Sequence, residues 1–146
     1  MAHVPAPWRT SPAETALVIV LRGMAALLLA AVVPAVMPFA WMAAVHDRIG
    51  LVPELPDTPL VNYLTRSLSL IYAMHGAILW FVSLEVRRWL PVVKCLAVLG
   101  GVFGASMFAL DYLVRMPPWW VVGEGPFILA ASLVVWRLAG RVAPTA

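Results

Sequence analysis

Residues 23–45 run without a single Asp, Glu, Lys or Arg, and three further stretches repeat that pattern over shorter lengths. At ~1.5 Å per helical residue, such a run covers a hydrocarbon core of about 30 Å. Composition agrees: of 146 residues, 63% are hydrophobic and 12% charged, with a mean hydropathy of +0.92. A water-soluble domain would have nowhere to put that apolar surface. The net charge of +3 is small and dispersed along the chain, unlike the clustered basic face that nucleic acid requires. Lipid is the expected surrounding, and the fold class expected is all-α: a polytopic, antiparallel bundle of four transmembrane helices in one domain.

The four spans are expected near 23–45, 67–88, 91–113 and 121–141. Ser11-Pro12-Ala13-Glu14 reads as an N-cap, an N1 proline and an N3 glutamate, so the first helix is expected to begin at Pro12 and to kink at Pro34 and Pro38. A cleavable signal peptide is the competing reading, carried by Arg9 and the small-residue-rich run. That run, however, is longer than a signal core and passes through Trp41 without a clean cleavage site. Residues 47–58 hold Gly50, Pro53 and Pro56 among scattered charges and read as a loop, after which Thr58-Pro59 repeats the cap-plus-proline start. Pro91 cannot continue the second helix, so spans two and three are expected to form a tight hairpin. Pro117-Pro118 stops span three, and Pro126 is expected at N1 of span four.

Basic residues divide unevenly. Arg9, Arg22, Arg87, Arg88, Lys94, Arg137 and Arg141 fall on one side, whereas Arg48, Arg66 and Arg115 fall on the other, which puts the first side and both termini in the cytoplasm. Asp47, Glu54, Asp57, Asp111 and Glu124 lie on the outer side. Trp119-Trp120 and Trp89 fit interfacial belts.

Steps of four and three along span two collect Asn62, Arg66, Ser69, Ala73, Gly76, Trp80, Ser83 and Arg87, a polar and small-residue seam that should avoid lipid. Span three read likewise gives Ala97, Gly101, Gly104, Phe108, Asp111 and Arg115, with a small-xxx-small step from Gly100 to Gly104. The seams are expected to face one another through Gly76, Gly100, Gly101 and Gly104. That pairing brings Arg66 to Asp111, and Arg115, four residues on, completes an ion cluster.

Ionisable groups in or near lipid are costly and point to function. Tyr72, His75, Asp111 and Glu124 are the candidate lining of a polar pocket in the outer half of the bilayer. Glu124, in Gly123-Glu124-Gly125-Pro126, reads either as a helix cap or as a cation- or proton-accepting group. His75 lies about 13.5 Å of helix below Arg66. It is expected to bond Ser106 or a backbone carbonyl, the alternatives being a proton relay or an anchor for a quinone or sterol-like ligand. No cofactor is expected: bis-histidine haem would need a second intramembrane histidine, while His3 and His46 lie outside the spans, and a histidine–methionine pair is left open by Met24, Met37, Met42, Met74 and Met107. No metal-site pattern, phosphate loop or nucleophile elbow is present, Ser106 with His75 lacks a third catalytic member, and the single Cys95 reads as a packing residue.

The span count, the glycine-rich third helix and Trp119-Trp120 followed by Gly123-Glu124-Gly125-Pro126 resemble small bacterial four-helix membrane proteins of the DoxX-like type. The resemblance covers 59–141 and is one of layout, so it implies a fold and a bacterial inner membrane but no site. The small multidrug exporters use a carboxylate within their first span, and the apolar run of span one has none. The function expected from the four spans and their polar pocket is a non-catalytic ligand-binding or complex-assembly subunit, with a lipid, a quinone, another small amphiphile or a membrane protein as partner. A proton-coupled transporter or channel is the alternative, and a lipid- or quinone-modifying enzyme comes third.

Overall fold

The computed structural model describes residues 11–51 and 54–143. His3, Arg9 and Pro53, which bear on the haem, charge and loop readings, lie outside them. The described residues form six helices and no strand: α1 (Pro12–Leu29), α2 (Val32–Val36), α3 (Phe39–Arg48), α4 (Pro59–Leu84), α5 (Leu90–Leu113) and α6 (Pro118–Ala139). Four segments are long and apolar enough to cross a membrane, at Pro12–Val36, Pro59–Leu84, Leu90–Leu113 and Pro118–Ala139. Large apolar side chains such as Leu70, Ile71, Leu99, Val102, Leu110 and Leu133 lie exposed along their flanks, as lipid requires and water does not tolerate. This is a multi-pass membrane protein built as an all-α bundle.

Helix α1 starts where its cap dictates, with Ser11 Oγ accepting from the Glu14 amide at 3.2 Å. The Glu14 carboxylate does something the capping motif did not suggest. It takes a two-pronged bond from Arg87, 2.9 Å to Nε and 2.7 Å to Nη2, which ties the start of α1 to the turn after α4.

Two prolines interrupt the chain beyond α1. Pro34 clashes with the carbonyl four residues back, Ala30, and there the helix opens into a turn with i,i+3 bonds at Ala31 and Val33. Pro38 then ends α2, with Met37 extended (ψ 154°). The crossing segment is therefore 12–36 rather than 23–45. The second half of the expected span becomes the separate helix α3, and Arg22 falls inside the span instead of at its edge.

The turn between α4 and α5 is short, but the two helices scarcely touch along their lengths. Instead α1 and α2 lie along α4, α5 lies along α6, and α1 also meets α6. The small seam of α4 is buried as its pattern suggests, at Ser69, Ala73, Gly76 and Ser83, yet its partner is α1. A methyl on Gly76 would lie 2.9 Å from the Ala25 carbonyl, Leu28 Cβ and the Leu29 amide. The α5 seam meets α6: methyls on Gly100 and Gly104 would strike Ser132 Oγ at 2.6 Å and the Leu129 amide at 2.9 Å. Gly101, expected in the same contact, faces open space. The small-residue face that complements α5 sits on α6, where Gly125, Ser132 and Ala139 recur every seven residues and all are buried.

The apolar core gathers Leu17, Leu21, Ala25, Leu79, Val82, Val93, Val135 and Ala139 in the half of the bundle nearest Arg87, Lys94 and Arg141. We call this the basic end and the opposite one the acidic end.

Helix α5 closes with a left-handed residue at Arg115, φ 60°. The Arg115 amide bonds the Tyr112 carbonyl and the Met116 amide bonds the Asp111 carbonyl, the pairing of a Schellman stop, and Pro117 prevents any continuation. An L side chain is disfavoured there by about 1 kcal/mol relative to glycine. Arg115→Gly should therefore raise the unfolding midpoint in detergent, and a fall would show that the arginine side chain contributes more than its backbone costs.

Candidate polar site at the acidic end

The expected cluster of Arg66, Asp111 and Arg115 does not form among the described residues. Arg115 has left the helical path, so the i,i+4 geometry with Asp111 is absent and its side chain is exposed. Arg66 is taken by backbone. Its Nη1 donates to the Ala35 carbonyl at 2.7 Å and its Nη2 to Met37 at 3.0 Å, while Nε donates to Asn62 Oδ1 at 2.7 Å. These carbonyls end α2, where the Pro38 break removes their helical donors. A cation at a helix C-terminus also meets the negative pole of its dipole. Arg66 thus serves α2 and not Asp111.

Asp111 is left in an unusual state. It is only 4% exposed, in the last turn of α5, and its Oδ2 has no hydrogen-bond partner among the described residues. A buried carboxylate without donor or counter-charge is expensive, and more so within lipid. Glu124 and the Tyr72 phenol lie within electrostatic reach of Asp111, and Tyr72 within reach of Glu124. Both are half-buried, which makes them the accessible edge of the group.

Glu124 does not cap a helix. Helix α6 begins at Pro118, and Glu124 stands almost two turns inside it, accepting a hydrogen bond from Trp120 Nε1 one turn earlier. Pro126, expected to open the helix, is internal to it. The tryptophan pair expected in an interfacial belt accordingly belongs to the first turn of α6, with ring centroids 5.4 Å apart in an edge-on contact.

No protein family, curated protein or solved structure matches the chain. The chemistry of the site itself therefore carries the functional reading.

His75 stands one turn from Tyr72 along α4 and is half-buried. The bond anticipated with Ser106 is not made, because Ser106 is exposed and donates to the Val102 carbonyl at 2.9 Å. Of the four candidate pocket residues, Tyr72, Asp111 and Glu124 lie within electrostatic reach of one another without a hydrogen bond among them, and His75 has no hydrogen bond or ion pair among the described residues. No group of three or more metal-binding side chains occurs among those residues either. Two open cavities lie elsewhere. One of about 380 Å³ runs along the α5–α6 groove beside Gly101, Ser132 and Trp136, and one of about 590 Å³ sits under the Arg115 turn between Tyr112 and Val122.

Proposed function

We propose that the protein is a non-catalytic ligand-binding membrane protein whose site is the Tyr72, Asp111 and Glu124 group, and that its ligand presents a cationic or hydrogen-bond-donating head. The buried Asp111 carboxylate carries this reading: among the described residues its Oδ2 has no hydrogen-bond partner, and Arg66, the cation expected beside it, is bound to backbone carbonyls instead. Carboxylate oxygens accept hydrogen bonds, so an amphiphilic amine, which donates them, suits the group better than a quinone, whose carbonyls need donors. Tyr72 and Glu124, at the accessible edge, meet the ligand first. The excess of cations at the opposite end supports an outward-facing site with both termini cytoplasmic.

The experiment is a titration of the detergent-solubilised protein with tetraphenylphosphonium, followed by calorimetry and by the fluorescence of Trp120, which is bonded to Glu124. Asp111→Asn should weaken binding at least tenfold, equivalent to about 1.4 kcal/mol. The same change should raise the unfolding midpoint of the empty protein, because it removes an unpaired buried charge. Loss of stability without loss of binding would make Asp111 a structural residue, and no binding by the parent protein would end the proposal. A proton-coupled transporter stands second on the same observation, since an unpartnered carboxylate within electrostatic reach of another is also a proton acceptor. Proton-dependent uptake of the cation into vesicles that Asp111→Asn abolishes would move the protein to that class.

A further inference from the structure

At the basic end the acids are spent. Glu14 is bound by Arg87, and Glu85 pairs with Arg88 at 3.3 Å. Arg22 remains, exposed on the flank of α1 inside the crossing segment, with no ion pair among the described residues. It is not a freely waving side chain. Its Nε donates to Ser83 Oγ at 3.4 Å, and its guanidinium stands 5.7 Å over the ring of Trp80. Ser83 is 2% exposed, and its hydroxyl proton is already given to the Trp80 carbonyl at 2.7 Å, so the oxygen presents lone pairs to Arg22. Trp80 is 43% exposed and forms a flat indole wall beside the cation.

With Nε held, the two Nη groups keep their donors for something outside the protein. Ser83 stands one residue before the end of α4, and the turn that follows carries Arg87, so the guanidinium is held at the basic end of the helix, near the depth of headgroup and glycerol. A planar fork of N–H donors at that depth, beside an indole, matches the paired oxygens of a phosphodiester. The head should carry net negative charge, because the ammonium of a zwitterionic lipid would find both nearby carboxylates already paired.

We propose that Arg22, positioned by Ser83 and Trp80, binds the phosphate of an anionic phospholipid in the leaflet at the basic end. The site is separate from the acidic-end group, so either can fail without the other.

The test measures lipid retained by the purified protein, by mass spectrometry under non-denaturing conditions, after exchange into mixed micelles holding equal phosphatidylglycerol and phosphatidylcholine. The parent should retain phosphatidylglycerol over phosphatidylcholine at least fivefold. Arg22→Gln should remove that preference, Arg22→Lys should keep only part of it, and Arg141→Gln, a basic-end control, should leave it intact. Since Arg22 is exposed, the variants should fold, and equal unfolding midpoints would verify this. Millimolar glycerol phosphate should not displace the lipid; displacement would make the site one for soluble phosphate. An unchanged preference in Arg22→Gln, or none in the parent, would overturn the proposal.

Discussion

Gly125→Leu is expected to separate α5 from α6. A Cβ on Gly125 would lie 2.6 Å from both Cβ and the amide nitrogen of Phe108 and 2.8 Å from the Gly104 carbonyl. Two of these three atoms are backbone and cannot rotate aside. Forcing even a methyl into a well-packed contact costs about 1–3 kcal/mol, and leucine adds three more carbons. In lipid no hydrophobic gain compensates, because helices associate largely through close packing and lipid tails are as apolar as the side chains they replace. The unfolding midpoint in mixed micelles, followed by tryptophan fluorescence, should fall sharply. Gly104→Leu should behave alike, its Cβ meeting the Leu129 amide and the Gly125 carbonyl at 2.9 and 3.0 Å. Gly101→Ala supplies the contrast: with open space around it, the substitution should stabilise α5 by about 0.5–1 kcal/mol through lost backbone freedom. A Gly125→Leu variant as stable as the parent would refute the α5–α6 pairing.

That pairing marks where sequence reasoning stops. Helical periodicity identifies which side of α4 is buried, since Ser69, Ala73, Gly76 and Ser83 recur on one face and lipid would not accept it. It does not name the partner. Small residues allow close approach to any helix of suitable shape, and the choice among α1, α5 and α6 is made by matching several faces at once. The α6 signal was legible in the seven-residue recurrence of Gly125, Ser132 and Ala139, but reading Gly125-Pro126 as a helix start obscured it. Two proline sites competed for that start, and the Pro117-Pro118 pair, preceded by the Schellman stop at Arg115, is the one used.

The candidate site divides in the same way. Asp111, Glu124 and Tyr72 announce themselves because polar groups are conspicuous in apolar runs. The fate of Arg66 does not, because side-chain charge pairing predicts an acid as its partner and its actual partners are carbonyls exposed by a proline 28 residues earlier. Glu14 and Arg87, separated by 73 positions, were equally invisible as a pair until α1 was known to run beside α4.

The second large effect is expected at Arg66. Arg66→Met removes three donated hydrogen bonds and leaves the Ala35 and Met37 carbonyls without a partner at the broken end of α2. Losing the partner of a buried polar group costs about 1–3 kcal/mol per group, and water cannot easily replace the donor within a bilayer. Arg66→Met should therefore cost several kcal/mol, and amide exchange across 30–40 should accelerate as α2 frays from α4. Arg66→Lys preserves the charge but brings one compact ammonium where a fork reached two carbonyls, so it should recover only part of the loss. The alternative account, in which Arg66 acts through charge alone, predicts full recovery by lysine. Exchange at 30–40 unchanged in Arg66→Met would show that the proline break holds its geometry without the guanidinium. Asp111 supplies an independent check: if Arg66 serves α2 and not the carboxylate, the effects of Arg66→Met and Asp111→Asn on stability should have opposite signs and add within about 0.5 kcal/mol, as uncoupled sites do.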